Sequence, residues 1–332
     1  MLAVVRVLSW SYLAAIVAIA LVMWGFGDRW WPATILLFMG RWVFLLPLPV
    51  LVLAALVLQA RLLIPVAIGA VLVLGPLMGG RIGWARPLAP SDGMRLRVVT
   101  LNTDGGRLVA LDLPQLLQQW AADVVLFQEC GDELATTTER MPGWQWHHVR
   151  GLCLLTRLPI VAAEVMDRRA LERVREDEGA GIGGAGYVVR YALRTPEGPI
   201  NVANLHLETP RKGFEGLMAG DVQQLRLNSE LRDLEATLAR RWVDAGGAPT
   251  IVVGDFNTPV ESRIFQDHWG DLADAYSRTG FGFGFTKYNG WIRVRIDHVL
   301  TNDAWRPARS YVGADVGSDH RPLVADLVLV KR

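Results

Sequence analysis

Five apolar runs in this 332-residue chain end on acid, amide or imidazole side chains, groups that can hold a cation, move a proton or meet a phosphate. Asn102 closes LRVVTLN, and Glu129 closes DVVLFQE. Asn204 and His206 lie in NVANLHLE, Asp255 and Asn257 in VVGDFN, and Asp297 with His298 in RIDHV. Ser318, Asp319 and His320 stand together just before the last run, PLVADLVLV. Any one of these endings says little, because Asp and Asn often terminate strands as turn residues. Together they provide what metal-assisted phosphoryl chemistry requires. Carboxylate oxygen suits Mg²⁺, which takes one or two protein carboxylates and keeps several waters. Imidazoles and an amide can meet the charge developing on the equatorial phosphate oxygens. A carboxylate beside a histidine can hold it as a base for water.

The elements that must position these groups are short. Runs at 96–102, 123–129, 152–156, 187–193, 200–208, 250–257, 296–301 and 322–330 read as strands. Helical spacing of apolar residues appears at 111–122 and, over a longer stretch, at 221–243. Pro159, Pro196, Gly198, Pro210 and Pro259 punctuate the joins. Many strands with few helices predict two packed sheets flanked by helices. The glycine-rich stretch 179–186 reads as a loop and not as a phosphate cradle, because it does not lead from a strand into a helix.

The succession VVTLN, VVLFQE, LLTRLPI, NLHLE, VVGDFN, RIDHV and GSDHRPL resembles that of the endonuclease/exonuclease/phosphatase superfamily across roughly residues 95–330. That superfamily includes pancreatic-type deoxyribonuclease, abasic-site endonucleases, inositol-polyphosphate 5-phosphatases and neutral sphingomyelinases. The resemblance implies a four-layer α/β sandwich of two mixed sheets flanked by helices, with the site at one edge of the sheets. It implies Glu129 as the direct metal ligand with Asn102 beside it, and Asp319 as a further metal-site carboxylate. Asp255 corresponds to the carboxylate that orients or deprotonates the attacking water, and Asn257 to the amide that steadies the phosphate. His206 corresponds to a histidine that stabilises the transition state, and His320, paired with Asp297, to the histidine facing the phosphate. Whether His320 or Asp255 is the base stays open. Asn204 and Ser318 read as supports for these groups, and Arg157 as a basic position common in the family or else a structural salt bridge. The implied cation is Mg²⁺, with Mn²⁺ or Ca²⁺ as alternatives. His147 and His148 read as rim residues in a loop, and His268 and His298 as structural. FGFGFTKYNGW (281–291) is either a lining of the substrate groove or simple loop packing. Cys130 and Cys153, in no disulfide-framework pattern, read as two buried thiols acting as small hydrophobes.

Residues 1–86 differ in kind from residues 87–332, which carry the motifs. Uncharged apolar runs at about 8–26, 42–60 and 62–80 are each long enough to cross a bilayer's hydrocarbon core, with a tight turn at Arg61. Apolar character resumes twice after the first run, unlike a cleaved signal peptide. Trp30, Trp31 and Trp42 near the run ends fit interfacial anchoring. Three transmembrane helices before the sandwich are therefore expected, in an integral plasma-membrane protein. Of 34 basic and 33 acidic side chains, residues 1–86 hold six and one, which leaves 28 against 32 and a formal charge of −4 for the remainder. No basic excess marks a general nucleic-acid binder. A count of flanking arginines leans towards a cytoplasmic catalytic part, but large domains translocate regardless of nearby charge, so the side stays open. A tether raises the effective concentration of membrane lipids. The expected activity is thus a phosphoric ester hydrolase acting on a phospholipid or sphingolipid head group. A membrane-tethered nuclease and an inactive scaffold are the alternatives, and the three spans offer a surface for a homo-oligomer.

Overall fold

The computed structural model describes residues 1–88, 92–105, 113–131, 141–178, 186–247 and 249–330. The apolar runs pair into two six-stranded sheets. The first has the order Trp305–Val312, Leu323–Leu329, Arg95–Asn102, Val124–Gln128, Leu152–Thr156 and Gln145–Val149. The second runs Ala273–Asp274, Asp297–Thr301, Thr250–Asp255, Gly198–His206, Tyr187–Thr195 and Ile160–Val165. Each sheet has one parallel pair near its middle and antiparallel neighbours around it, so both are mixed.

The central strands are apolar on both faces because each sheet is covered twice. Val98, Leu126 and Leu154 of the first sheet meet Val189, Val202 and Val253 of the second in a shared core. On the outer face of the second sheet, Leu231, Ala239 and Val243 of the helix Val222–Asp244 pack with Val252, Leu300 and Trp269. Leu117 and Trp120 of the helix Leu113–Trp120 cover Val99, Leu101 and Val125 of the first. The result is the expected helix–sheet–sheet–helix sandwich. The long helix starts one residue later than its apolar spacing suggests, because Asp221 caps it, its carboxylate accepting from the amides of Gln223 and Gln224. Residues 179–185 of the glycine-rich stretch and residues 111–112 of the shorter helical run lie outside the described residues.

Three helical stretches, Leu2–Arg29, Arg41–Leu58 and Ala60–Leu77, are long and apolar enough by length and composition to cross a membrane. The first helix begins earlier than residue 8, because Leu2–Val7 continue its pattern. The chain breaks at Gln59, in an extended conformation, and turns through Ala60–Leu62, so the reversal falls at Arg61 as expected. A short helix, Trp31–Phe38, was not anticipated; Pro32 in its first turn starts it. Val4, Leu21, Leu53, Val57 and Val71 point outwards and are exposed, as helices facing lipid would require.

The cysteines correct the reading given above. Cys130 and Cys153 form a disulfide, with Cα atoms 6.2 Å apart. Phe127 and Cys153 are cross-strand partners, and the Cys130 amide donates to the Gly151 carbonyl, which turns the chain back over its neighbour. A 23-residue separation in a large chain carries no sequence signal for this pairing.

Candidate active site

The C-terminal ends of the two parallel pairs face the same edge of the sandwich, and the motifs meet there. Asn102 is the cross-strand partner of Gln128, which delivers Glu129 one residue further on. In the second sheet His206 is the partner of Asp255, and Asp255 is also the partner of Asp297 on its other side. Gly254 makes that arrangement feasible. Its φ of +140° suits glycine, and a Cβ there would lie 1.9 Å from the Leu205 carbonyl oxygen.

Asn102 joins the sheets chemically, its Nδ2 donating to Glu129 Oε1 at 3.1 Å and to Asp255 Oδ2 at 3.0 Å. Glu129 sits in the left-handed region at φ +52° and keeps a partly exposed carboxylate, the kind of backbone outlier that clusters at functional sites. His206 Nε2 lies 3.7 Å from Glu129 Oε1 and 3.8 Å from Asp255 Oδ2. His320 Nδ1 is 2.8 Å from Asp297 Oδ2, while its Nε2 is 3.6 Å from Asp255 Oδ2 and 3.8 Å from Asp319 Oδ1. Ser318 Oγ donates to the Asn102 carbonyl at 2.7 Å and accepts from the His320 amide at 3.0 Å, tying the last motif to the first.

Burial sets the protonation of this cluster. It opposes a charged His320, yet the Asp297 and Asp255 carboxylates outweigh it and raise the imidazole to about 9. Asp255 is pushed up by burial and by the nearby Asp297 charge. Asp297, though desolvated, is held down by its contact with His320. The cluster thus favours an imidazolium on His320 and a carboxyl on Asp255 more basic than usual.

The remaining predicted residues divide. Asn257 is buried at φ +50° beside Asp255; its amide N–H donates to Asp255 Oδ1 at 2.8 Å and its Nδ2 to the Leu207 carbonyl at 2.8 Å. Asn204 stitches the sheets away from the open edge. Its Nδ2 donates to the Phe127 and Cys153 carbonyls at 3.1 Å each, and its Oδ1 accepts from Gln128 Nε2 at 2.7 Å. Arg157 is not brought to the site. It follows Thr156, at the end of its strand opposite Leu152, and lies over the Trp144 ring 4.8 Å from its centroid. No ion pair involves it among the described residues. His147 and His148 occupy the edge strand Gln145–Val149 instead of a loop, since they alternate across it. His298 is structural as expected, held between Asp274 Oδ2 and the Thr258 carbonyl at 2.9 Å each.

Several contributors were missed. Thr286 Oγ1 accepts from the Asp297 amide at 3.2 Å, and Lys287 forms an ion pair with Asp319. Arg232, in the middle of the long helix, donates to the Asn257 carbonyl at 3.0 Å and to Thr258 Oγ1 at 3.2 Å. Its other nitrogen pairs with Asp28 at 3.1 Å, and Asp28 also accepts from Ser262. Asp28 is the one acid among residues 1–86, and a lone ionisable group at the end of an apolar run is itself a signal.

The same edge is the oxygen-rich place a hard cation needs. Glu129 presents an accessible carboxylate, Asn102 an amide oxygen, and Asp319 Oδ1 is buried with no hydrogen-bond partner among the described residues. Asp255, Asp297 and His320 also bring one ligand atom each within 4.8 Å of one another. Residues 99–320, two-thirds of the chain, match the model of the Endonuclease/Exonuclease/phosphatase family. The chain belongs to this family.

Solved members of the endonuclease/exonuclease/phosphatase family share the sandwich. A family protein from Bacteroides thetaiotaomicron aligns at a TM-score of 0.55 and 17% identity, over 72% of this chain and 100% of its own. A mannosyl-6-phosphatase from the same organism gives 0.53 and 18%, over 70% and 100%. Danio rerio TDP2, solved with a single-strand DNA product, gives 0.51 and 14%, over 70% and 98%. Identities this low establish the fold and leave the substrate undecided. No curated protein matches the sequence closely enough to count as a relative. Members of the family hydrolyse phosphate esters.

Proposed function

We propose that the protein is an integral-membrane phosphodiesterase that uses a divalent cation, Mg²⁺ or a substitute such as Mn²⁺ or Ca²⁺, to hydrolyse the phosphate ester of a lipid head group. One observation carries the choice of lipid. The segment 283–291 contributes Thr286 and Lys287 to the catalytic edge, while its Phe283 and Phe285 pack with Ile16, Met23 and Leu77 of the apolar helices. Trp42 Nε1, at the start of the second apolar stretch, donates to the Trp291 carbonyl at 3.2 Å. A site edge built on the segment that grips the spans would be held at head-group level, where tethering raises the effective substrate concentration.

Glu129, Asn102 and Asp319 are the residues that would hold the cation, with Lys287 competing for one oxygen of Asp319. When bound, the cation supplies charge to neutralise the ester and makes water more acidic. Asp255, oriented by Asn102 and by the Asn257 amide, takes the proton of the attacking water; burial and the Asp297 charge raise its affinity for that proton. His320, as an imidazolium fixed by Asp297, donates to a phosphoryl oxygen as charge develops, and His206 approaches from the other side of Asp255; the phosphorus–oxygen bond to the lipid alcohol breaks, and that oxygen takes a proton from solvent as it leaves.

The Cys130–Cys153 disulfide supports an orientation with this site on an oxidising face of the membrane, where such bonds persist. The test is release of phosphocholine or a related head group from mixed vesicles with Mg²⁺ or Mn²⁺, lost on chelation. Nicking of plasmid without lipid hydrolysis would replace this reading by a nuclease. Neither activity, even at high enzyme concentration, would leave an inactive scaffold.

A further inference from the structure

A second concavity lies where the apolar helices meet the sandwich. It encloses about 890 Å³ between the ends of the apolar stretches, at Gly40, Trp42 and Met78, and the aromatic segment around Phe283, Phe285 and Trp291. Glu129, His206, Asp255 and His320 do not line it, so it is separate from the hydrolytic edge. Its size is in the range of sites that enclose most of a small organic ligand.

Its chemistry is one-sided. Arg41, Arg86 and Arg293 line it, and no acidic residue does among the described residues. Arg41 is committed to Glu261 at 3.2 Å. Arg86 spends its Nε on the Thr279 carbonyl and Arg293 lies over the Tyr288 ring, but neither takes part in an ion pair among the described residues. Two guanidiniums without carboxylates, sharing a cavity with the stacked Phe283 and Phe285 rings, fit an anion attached to an apolar body. Ile82, Phe281 and Trp291, beside the cavity, are 80%, 73% and 78% exposed, and Trp42 meets Trp291 at 6.1 Å between ring centroids. Exposed aromatic and aliphatic groups at the ends of apolar helices are what a bilayer interface selects. Gly284 shapes the wall, since at φ +67° a Cβ there would lie 2.2 Å from the Tyr276 ring.

We propose that this cavity binds one anionic glycerophospholipid drawn from the surrounding bilayer, its phosphate on Arg86 and Arg293 and its glycerol and upper chains on the aromatic wall. This rests on the membrane placement under Proposed function, not on which ester is hydrolysed. The occupant would lie against Tyr288, whose amide donates to the Asp319 carbonyl at 2.8 Å, and so would brace the segment that completes the catalytic edge.

The full chain, delipidated in detergent and kept in chelator so that nothing is hydrolysed, is titrated with phosphatidylglycerol or phosphatidylcholine and bound lipid is counted by native mass spectrometry. One phosphatidylglycerol per chain is expected, held roughly tenfold more tightly than phosphatidylcholine. Arg86→Gln/Arg293→Gln should lose that preference, and Trp291→Ser should weaken both lipids. Thermal unfolding and gel filtration in the same detergent report that the variants are folded; should the double variant fail there, exposed Arg293→Gln alone carries the comparison. Equal retention of phosphatidylglycerol by wild type and a folded arginine variant, or no head-group preference in the wild type, overturns the proposal. Failure of head-group release in the vesicle assay would leave this binding count untouched, so the two readings fail separately.

Discussion

Replacing Asp28 by alanine removes a carboxylate that is 2% exposed and faces an Arg232 guanidinium that is equally buried. Arg232 would keep its bonds to the Asn257 carbonyl and Thr258 Oγ1 but would carry an uncompensated charge next to the loop that bears Asp255 and Asn257. Breaking a buried pair by removing one partner costs about 3–5 kcal/mol. Part of that would appear as lower stability, and part as a loosened Asn257, whose left-handed backbone depends on its surroundings. Asp28→Asn, which can still accept from Ser262, should lose less, about 1.5–3 kcal/mol. The decisive assay is a double-mutant cycle. Asp28→Ala, Arg232→Met and the pair are compared by thermal unfolding and by kcat on bis(p-nitrophenyl) phosphate. Replacing both charges by apolar groups is often close to neutral, so the pair should be far less damaged than the single changes summed. Additive losses, or an Asp28→Ala protein with wild-type melting and kcat, would refute the coupling.

Four further outcomes are expected. His320→Ala should lower turnover about 10²–10⁴-fold on any true substrate, with Asp297→Asn nearly as damaging because it releases the imidazole it orients; unaltered turnover in either would undo the site assignment. The pH dependence has a definite sign: folding favours protonated His320, raised from 6.5 to about 9, so its contribution to stability is full below about 6.5 and fades as pH rises through about 9. In cation-free protein its ring resonances should titrate near that upper value, and a midpoint below 7 would contradict the pairing with Asp297. Gly254→Ala should destabilise by about 3 kcal/mol or more, read by denaturant unfolding, since the new Cβ meets backbone. Reduction of Cys130–Cys153, or Cys153→Ser, should cost about 3 kcal/mol for a loop of this length, and alkylation of the purified protein should need prior reductant.

Much of this fold was legible because its strands are short, apolar and punctuated, and because their last residues carry the candidate site. Alternation and turn residues locate a strand's end, and in a sheet with parallel central pairs those ends share one edge. Register sets Asn102 beside Gln128 and His206 beside Asp255, and the packing of one sheet on the other brings these pairs and His320 together. Where the reading failed, the determinant was a contact between distant elements. Cys130 and Cys153 pair only because a turn brings neighbouring strands back together. Arg157 carries a family-like basic group, but its strand runs the other way and takes it to the far end. Asn204, read as a support, holds the two sheets together through the Phe127 and Cys153 carbonyls and Gln128. Lys287 belongs to a segment that sequence could assign equally to groove or packing; in the structure it pairs with Asp319 while Phe283 and Phe285 of the same segment pack on the apolar helices.

The apolar segment was read from sequence as an anchor, and its buried charges argue for more than that. Asp28 with Arg232, and Arg41 with Glu261, are each at most 5% exposed and bridge residues 1–86 to the loop and helix behind Asp255. Desolvating two ion pairs is costly, and well-packed apolar residues would serve stability at least as well. What charges provide is a single arrangement: a guanidinium short of its carboxylate by even a few ångströms is heavily penalised, while a greasy contact can slide. Both pairs act within seven residues of Asp255, through Asn257, Thr258, Glu261 and Ser262. The apolar helices therefore fix the register of the loop that follows Asp255, and a sandwich severed from them would retain its strands while losing the partners that seat Asn257 beside Asp255.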